Sequence, residues 1–304
     1  MKMRRILAVM LAALMLLSFA ACSKTDDNGG NGSKTDDTTE VEDNEVKMKF
    51  LKAGRSTCII IRTPSGNIMI DAAADDKTGK IITYLAEKEI TEIDYLIITN
   101  YSKKHIGGIP TLLSYQALKI KNVIVPSYTK SSSTYDLFAN ALSTAGITPT
   151  TVTENTELTL GDVKIGLYVA HKDYSTADDE NDESNSMAVT VSYGEKSFLM
   201  TSRIKGDRVT ELLTDLGGKT FDLITVPNYG IYDSAYDNLF TALSAKYAVA
   251  FCSNNTDKTQ MDVKTITKLT EAKTLVYATR DGSVEVKMTK TGITVNGTPI
   301  NSVD

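Results

Sequence analysis

The residues best placed to do chemistry lie between Tyr95 and Pro110, in the stretch YLIITNYSKKHIGGIP. The apolar run Tyr95 to Ile98 reads as a buried strand that empties into a polar loop, and His105-Ile106-Gly107-Gly108 then opens a helical segment. His105 and His171 are the two histidines of the 304-residue chain. A hydrolytic zinc centre needs about three or four His, Asp or Cys ligands and an open position for water. Cysteine supplies little: Cys58 and Cys252 both sit in apolar runs and read as buried thiols, with a disulfide between them as the alternative in an exported protein. The sequence shows neither a Gly-x-Ser-x-Gly elbow nor a Ser-His-Asp set. The acidic run Asp178 to Glu183 lacks the spacing of a calcium loop and reads as a solvated loop. The 14 tyrosines offer stacking platforms for bases, or simply core.

The elements that must position these residues follow from periodicity. Runs 46–54, 56–63 and 66–73 form three short apolar strands, the second and third joined at the turn signal Pro64-Ser65-Gly66-Asn67. Asp76 to Lys88 has helical spacing, Thr91 to Ile98 returns to strand, and Ile109 to Ala117 is a helix with proline in its first turn. Strand Lys121–Pro126, helix Thr134–Ala145, strand Thr150–Val152 and a hairpin about Gly161-Asp162 come next. A second hairpin turns at Gly194-Glu195. Helices Val209–Leu216, Ala235–Leu243 and Asp262–Leu269 then alternate with strands Phe221–Val226, Tyr247–Phe251 and Thr274–Ala278, and strands 283–288 and 292–295 close the chain. Such an order predicts an α/β chain of two similar halves, two sheets face to face with helices outside: an αββα sandwich.

The ends of the domain are set by composition. Lys2, Arg4 and Arg5 precede the apolar run Ile6 to Leu17, which falls short of the roughly 20 residues that cross a bilayer, and small residues lead to Cys22. Residues 1–22 resemble a bacterial lipoprotein signal, which implies cleavage before Cys22 and lipid on its sulfur and amine; an ordinary signal peptide with an incidental cysteine is the alternative. Residues 23–45 repeat SKTDD and hold one apolar residue, Val41, so they read as an acidic, disordered tether. The folded domain is 46–304, the localisation outside the cell membrane, and the membrane a partner through Cys22. Losing the three positive side chains of the signal takes the formal charge from −5 to −8, which asks for no nucleic acid globally.

Several phrases carry a resemblance. Phe50-Leu51-Lys52-Ala53-Gly54, Ile61-Arg62-Thr63-Pro64-Ser65-Gly66, Ile70-Asp71-Ala72 and Asn181 to Tyr193 with Ser197-Phe198-Leu199 stand in the order found in one group. From Met48 to Asp304 the chain resembles the metallo-β-lactamase-fold hydrolases, in particular the extracellular domain of competence DNA-uptake channel proteins and their lipid-anchored relatives. In that family His-x-His-x-Asp-His before Ile-Gly-Gly holds the catalytic metals. Here Asn100 and Ser102 stand for two histidines, Lys104 for the aspartate, and His105 alone remains. His171 falls near the single-histidine motif. Thr201-Ser202-Arg203 stands for Thr-Gly-Asp, and Pro227-Asn228-Tyr229-Gly230 for Pro-His-His-Gly.

The resemblance therefore implies a retained scaffold with its metal site overwritten, since Lys104 and Arg203 put fixed positive charge where two carboxylates bind cations. The expectation is a non-hydrolytic binding or accessory protein with no cofactor, its ligand site built from Asn100, Ser102, Lys103, Lys104, His105, Arg203, Asn228 and Tyr229. Arginine and amide donors suit an anionic small molecule, a phosphate above all, or single-stranded nucleic acid. A plainer reading has Lys104 and Arg203 pairing with leftover acids such as Asp71. The alternative from another class is an active phosphodiesterase-like hydrolase with zinc in an atypical site.

Overall fold

The computed structural model describes residues 44–174, 182–253 and 260–303. Cys22, residues 23–43 of the expected tether and residues 178–181 of the acidic run lie outside them, while Glu45, expected in the tether, is buried as the first residue of the opening strand, where it pairs with Thr289. One sheet has eight strands in the order β15-β14-β1-β2-β3-β4-β5-β6, the other seven in the order β13-β12-β11-β10-β9-β8-β7. In the first sheet β1 (Glu45–Phe50), β2 (Ile59–Thr63) and β3 (Gly66–Ile70) are antiparallel, and β4 (Glu92–Ile97), β5 (Lys119–Pro126) and β6 (Thr150–Val152) continue in parallel. The second sheet runs from β7 (Thr156–Leu160), β8 (Val163–Tyr168), β9 (Ala188–Tyr193) and β10 (Lys196–Met200), antiparallel neighbours, to β11 (Leu223–Thr225), β12 (Tyr247–Ala250) and β13 (Leu275–Ala278) in parallel. The closing hairpin, β14 (Val284–Thr289) and β15 (Ile293–Asn296), returns to the first sheet beside β1.

Three apolar layers explain why the strands read as unbroken hydrophobic runs. Ile59 and Ile61 face the layer between the sheets with Phe50, Ile70, Val191 and Phe198. Ile60 faces the other way, under the helices α1 (Thr78–Glu87), α2 (Lys103–Ile106), α3 (Ile109–Ser114) and α4 (Ser133–Thr144), which supply Ile81, Leu85, Ile106, Leu112 and Phe138. A strand covered on both faces has no polar side to show. The outer face of the second sheet is covered in the same way by α5 (Asp207–Leu216), α6 (Tyr236–Leu243) and α7 (Val263–Glu271), through Leu212, Leu216, Leu239, Phe240 and Leu269. This is the αββα sandwich expected from the sequence. Among the described residues no helix is long and apolar enough to cross a membrane.

Two details differ from the periodicity. Helix α3 stops at Ser114 rather than Ala117, because Tyr115 leaves helical geometry (ψ 98°) and its carbonyl accepts the Leu118 amide at 3.0 Å. That turn delivers the chain into β5 two residues earlier than expected, where Lys119 pairs with Glu92.

Candidate functional site

The site gathers where four parallel strands end. Asp71 follows β3, Thr99 and Asn100 follow β4, Ser202 and Arg203 follow β10, and Pro227–Gly230 follow β11. In α/β sheets the carboxyl ends of strands are where ligand sites collect. Five of the eight non-glycine residues with positive φ among those described fall here: Asp71 (57°), Ala73 (56°), Ser202 (52°), Asn228 (44°) and Tyr229 (58°). Each such residue costs on the order of 1–3 kcal/mol and persists only where its surroundings over-determine it. The clamps are visible: the Ala72 amide donates to His105 O (2.7 Å), Ala73 to Thr57 O (2.8 Å) and Asn228 to Ser202 O (2.9 Å).

At the centre is a fully buried hydrogen-bonded chain. The Asp71 carboxylate and the His105 ring are both 0% exposed, and His105 Nδ1 lies 2.6 Å from Asp71 Oδ2. Asp71 also accepts from the Thr99 amide (2.8 Å) and the Thr99 hydroxyl (2.7 Å). With its proton used on Asp71, Thr99 Oγ1 accepts from Ser202 Oγ at 2.8 Å, which ties the two sheets together. A carboxylate facing Nδ1 places the proton of a neutral ring there, and the lone pair of Nε2 is left for the Tyr229 hydroxyl at 2.8 Å. The Thr57 hydroxyl bonds the same phenol oxygen, and burial pushes the Tyr229 pKa upward. The phenol therefore stays protonated as the donor to Nε2.

Around the Tyr229 ring stand three cations. Lys104 Nζ lies 5.1 Å from its centroid, the Arg55 guanidinium 5.4 Å and that of Arg203 5.6 Å, all within cation–π range. Arg203 also pairs with Glu183, which reaches Lys205 at 2.7 Å, and donates from Nε to Asn228 Oδ1 at 3.4 Å. Burial first, and then the charges of Arg55 and Arg203, bring the Lys104 amine down to about 8. Burial also lowers the Arg55 pKa, with Arg203 as the opposing charge.

The expected site residues thus divide. Lys104, His105, Arg203, Asn228 and Tyr229 come together. Lys103 does not: it is exposed, and its charge acts on Asp76, because the first turn of α2 sends neighbouring side chains to opposite sides. Asn100 is buried and structural, its Oδ1 accepting the Ser102 amide at 2.7 Å in an Asx turn and its Nδ2 donating to Ser186 at 3.1 Å. Ser102 begins α2. The plainer reading paired Lys104 and Arg203 with acids such as Asp71; Asp71 partners neither, its acceptors being taken by Thr99 and His105, and the acid facing Arg203 is Glu183. His171 contacts Asn155, Glu211 and Asp215 instead of the Asp71–His105 group. Cys58 and Cys252 are free and buried. Burial, and then the charge of Asp71, push the Cys58 thiol well up, so it offers no thiolate. Sequence reasoning missed Arg55, Thr57, Thr99 and Glu183; Arg55 falls in the one-residue gap between the strand runs 46–54 and 56–63.

The chain has the metallo-β-lactamase fold. It is similar in structure to the metallo-beta-lactamase fold protein YhfI from Bacillus subtilis, at 12% identity and TM-score 0.52 over 78% of this chain and 98% of that one. It is also similar to Igni18, a novel metallo hydrolase from the hyperthermophilic archaeon Ignicoccus hospitalis, at 13% identity and TM-score 0.51 over 80% and 98% of the two chains. No family model matches the chain, and no curated protein matches it by sequence. The donors at this site do not fit the metal such a fold implies. His105 Nε2 is occupied by the Tyr229 hydroxyl, Nδ1 by Asp71, and among the described residues no third His, Cys, Asp or Glu donor shares their reach. Lys104 and Arg203 add repulsion to any cation there.

Proposed function

We propose that this chain is a cell-surface lipoprotein, anchored outside the membrane through lipid on Cys22, that uses a metallo-β-lactamase fold with no catalytic metal at His105 to bind an anion rather than to hydrolyse one. The observation that carries the reading is the convergence of Arg55, Lys104 and Arg203 on the face of Tyr229. Lys104 is half-buried, its amine is held down by two guanidiniums, and no carboxylate among the described residues offsets its charge. A phosphate-bearing ligand would supply that charge and accept the planar fork of Arg203. The resemblance to competence DNA-uptake domains supports single-stranded nucleic acid as a wider ligand class. The partial burial of Lys104 and Arg203 favours the smaller anion.

The test is titration of the purified full-length chain with inorganic phosphate, a nucleoside monophosphate and a labelled single-stranded oligonucleotide. Binding in the wild type that is lost in Lys104→Ala with Arg203→Ala supports the reading, and the tightest of the three probes names the ligand class. Equal affinity in the wild type and the double variant, or turnover of a phosphodiester by the wild type, overturns it.

A further inference from the structure

A second group of chemistry-bearing side chains lies against α5. This helix packs Val209, Leu212 and Leu216 into the outer core of the second sheet. Its flank carries Arg208, Glu211 and Asp215 toward the segment that leaves β8, and on that segment stands His171. One oxygen of each carboxylate and one ring nitrogen of His171 lie within 4.8 Å of one another. The spacing Glu211, Asp215 is i,i+4, so both carboxylates share a face.

The contact between His171 and Asp215 is chemically incomplete. Asp215 is 9% exposed at its side chain, and its Oδ2 receives no hydrogen bond. His171 Nε2 lies 3.3 Å from it. Asn155 decides what that nitrogen carries. Its Oδ1 accepts the Val169 amide at 3.0 Å, which turns its Nδ2 donor toward His171 Nε2 at 3.2 Å. A nitrogen facing an amide donor presents a lone pair. Two lone-pair atoms, one of them on a nearly buried carboxylate, therefore face each other with no proton between them.

We propose that His171, Glu211 and Asp215 bind a divalent transition-metal ion of the zinc class, on the flank of α5 and apart from the Asp71–His105–Tyr229 chain. With bonds of about 2.0–2.1 Å, two ligands of a tetrahedral zinc lie about 3.3 Å apart, the separation already found for Nε2 and Oδ2. Glu211 is the third ligand and needs a shift of its carboxylate to close from the wider spacing. Its oxygens are held from outside by the His171 amide (3.0 Å) and the Tyr174 hydroxyl (3.0 Å), as metal-ligating carboxylates are. Arg208 Nη1, 3.2 Å from Glu211 Oε1, keeps the pair of carboxylates from repelling in the empty state and tempers affinity in the filled one. His171 is 48% exposed at its side chain, so the fourth position opens to solvent. The ion would pin the segment after β8 to α5.

The purified full-length chain, stripped with a chelator, is titrated with zinc chloride by calorimetry and with cobalt chloride in the visible range, and its melting is followed with and without zinc. One equivalent of zinc is expected, with a cobalt d–d band and a rise in Tm. Asp215→Asn and His171→Gln each lower the affinity by at least about 100-fold, the upper end of what loss of an outer-shell partner alone costs, and abolish the Tm rise. His171→Gln is conservative at a half-exposed position, so its fold is secure. No stoichiometric zinc, or binding indifferent to His171→Gln and Asp215→Asn, overturns the assignment. A site that is lost in His105→Gln but kept in His171→Gln overturns it as well, and leaves the anion reading to its own test.

Discussion

Tyr229→Phe isolates one hydroxyl. The substitution keeps the ring that three cations cover and keeps a backbone whose φ of 58° is equally strained for either residue. What disappears is the donor to His105 Nε2 at 2.8 Å and the acceptor for Thr57. His105 is 0% exposed and Thr57 1%, so water does not replace the phenol. Leaving one buried polar atom unsatisfied costs about 1–3 kcal/mol; taking about 2 kcal/mol, and about 2–4 °C per kcal/mol for a domain of this size, the midpoint should fall by about 4–8 °C. Thermal unfolding by circular dichroism, with denaturant melts to confirm an unchanged m-value, reads the shift. If the phenol only fills space, Phe would be neutral or stabilising, and a Tm change of less than about 1 °C would refute the claim that Tyr229 completes the histidine's bonding.

Phosphate affinity should fall as pH rises through about 8, because burial and two guanidiniums hold the Lys104 amine there and its neutral form contributes no charge; calorimetry from pH 6.5 to 9.5 should show the decline in the wild type and a flatter profile in Lys104→Ala. The same amine affects folding. Since the folded value of about 8 lies below the ordinary 10.5, the unfolded chain binds more protons between them, so Lys104 makes unfolding free energy rise with pH across that window; the wild-type minus Lys104→Met difference should carry this slope. Gly108→Ala places a Cβ 2.2 Å from the Ala72 carbonyl and should cost about 1–3 kcal/mol, whereas Gly79→Ala, in α1 with no atom within 4 Å of the added carbon, should stabilise by about 0.5–1 kcal/mol; paired denaturant melts check both signs.

The fold was legible because its strands are covered on both faces or paired through short turns, and each leaves a mark in the residues. Cys58 to Ile61 reads as a strand whichever sheet owns it, and Pro64-Ser65 announces the β2–β3 turn whose register is Thr63 to Gly66. The site was legible only in part. That Asn100, Ser102 and Lys104 stand beside His105 where the resembled family has ligands could be read from the sequence. That Tyr229 binds its ring nitrogen was not, since the two are joined by a hydrogen bond across 124 residues. Arg55 and Glu183 escaped for the same reason: each comes from a loop that long-range pairing carries to the site, and nothing in the local pattern separates Arg55 from any arginine after a glycine. Lys103 and Lys104 were indistinguishable until the phase of α2 put one in solvent and the other on an aromatic ring.

The structure also says what building a metal site at His105 would take. Placing histidine at residues 100 and 102 and aspartate at 104 supplies new donors on one loop, yet His105 Nε2 would still be engaged by the Tyr229 hydroxyl and Arg203 would still face the site. Asn100 has moreover taken on the Asx turn that starts α2 and the bond to Ser186, so its replacement also loosens the loop meant to hold the ligand. The triple variant Asn100→His, Ser102→His, Lys104→Asp should therefore fail to gain a zinc site at His105 when read in a His171→Gln background, which silences the site on α5. Adding Tyr229→Phe and Arg203→Gln, which free Nε2 and remove the second cation, should produce one. Zinc bound at His105 by the triple variant alone would show that Tyr229 yields readily and that its bond to the histidine is incidental. Failure of the triple and gain in the quintuple variant would show that the tyrosine's bond to His105, and not a shortage of donors on the loop alone, keeps zinc from this centre.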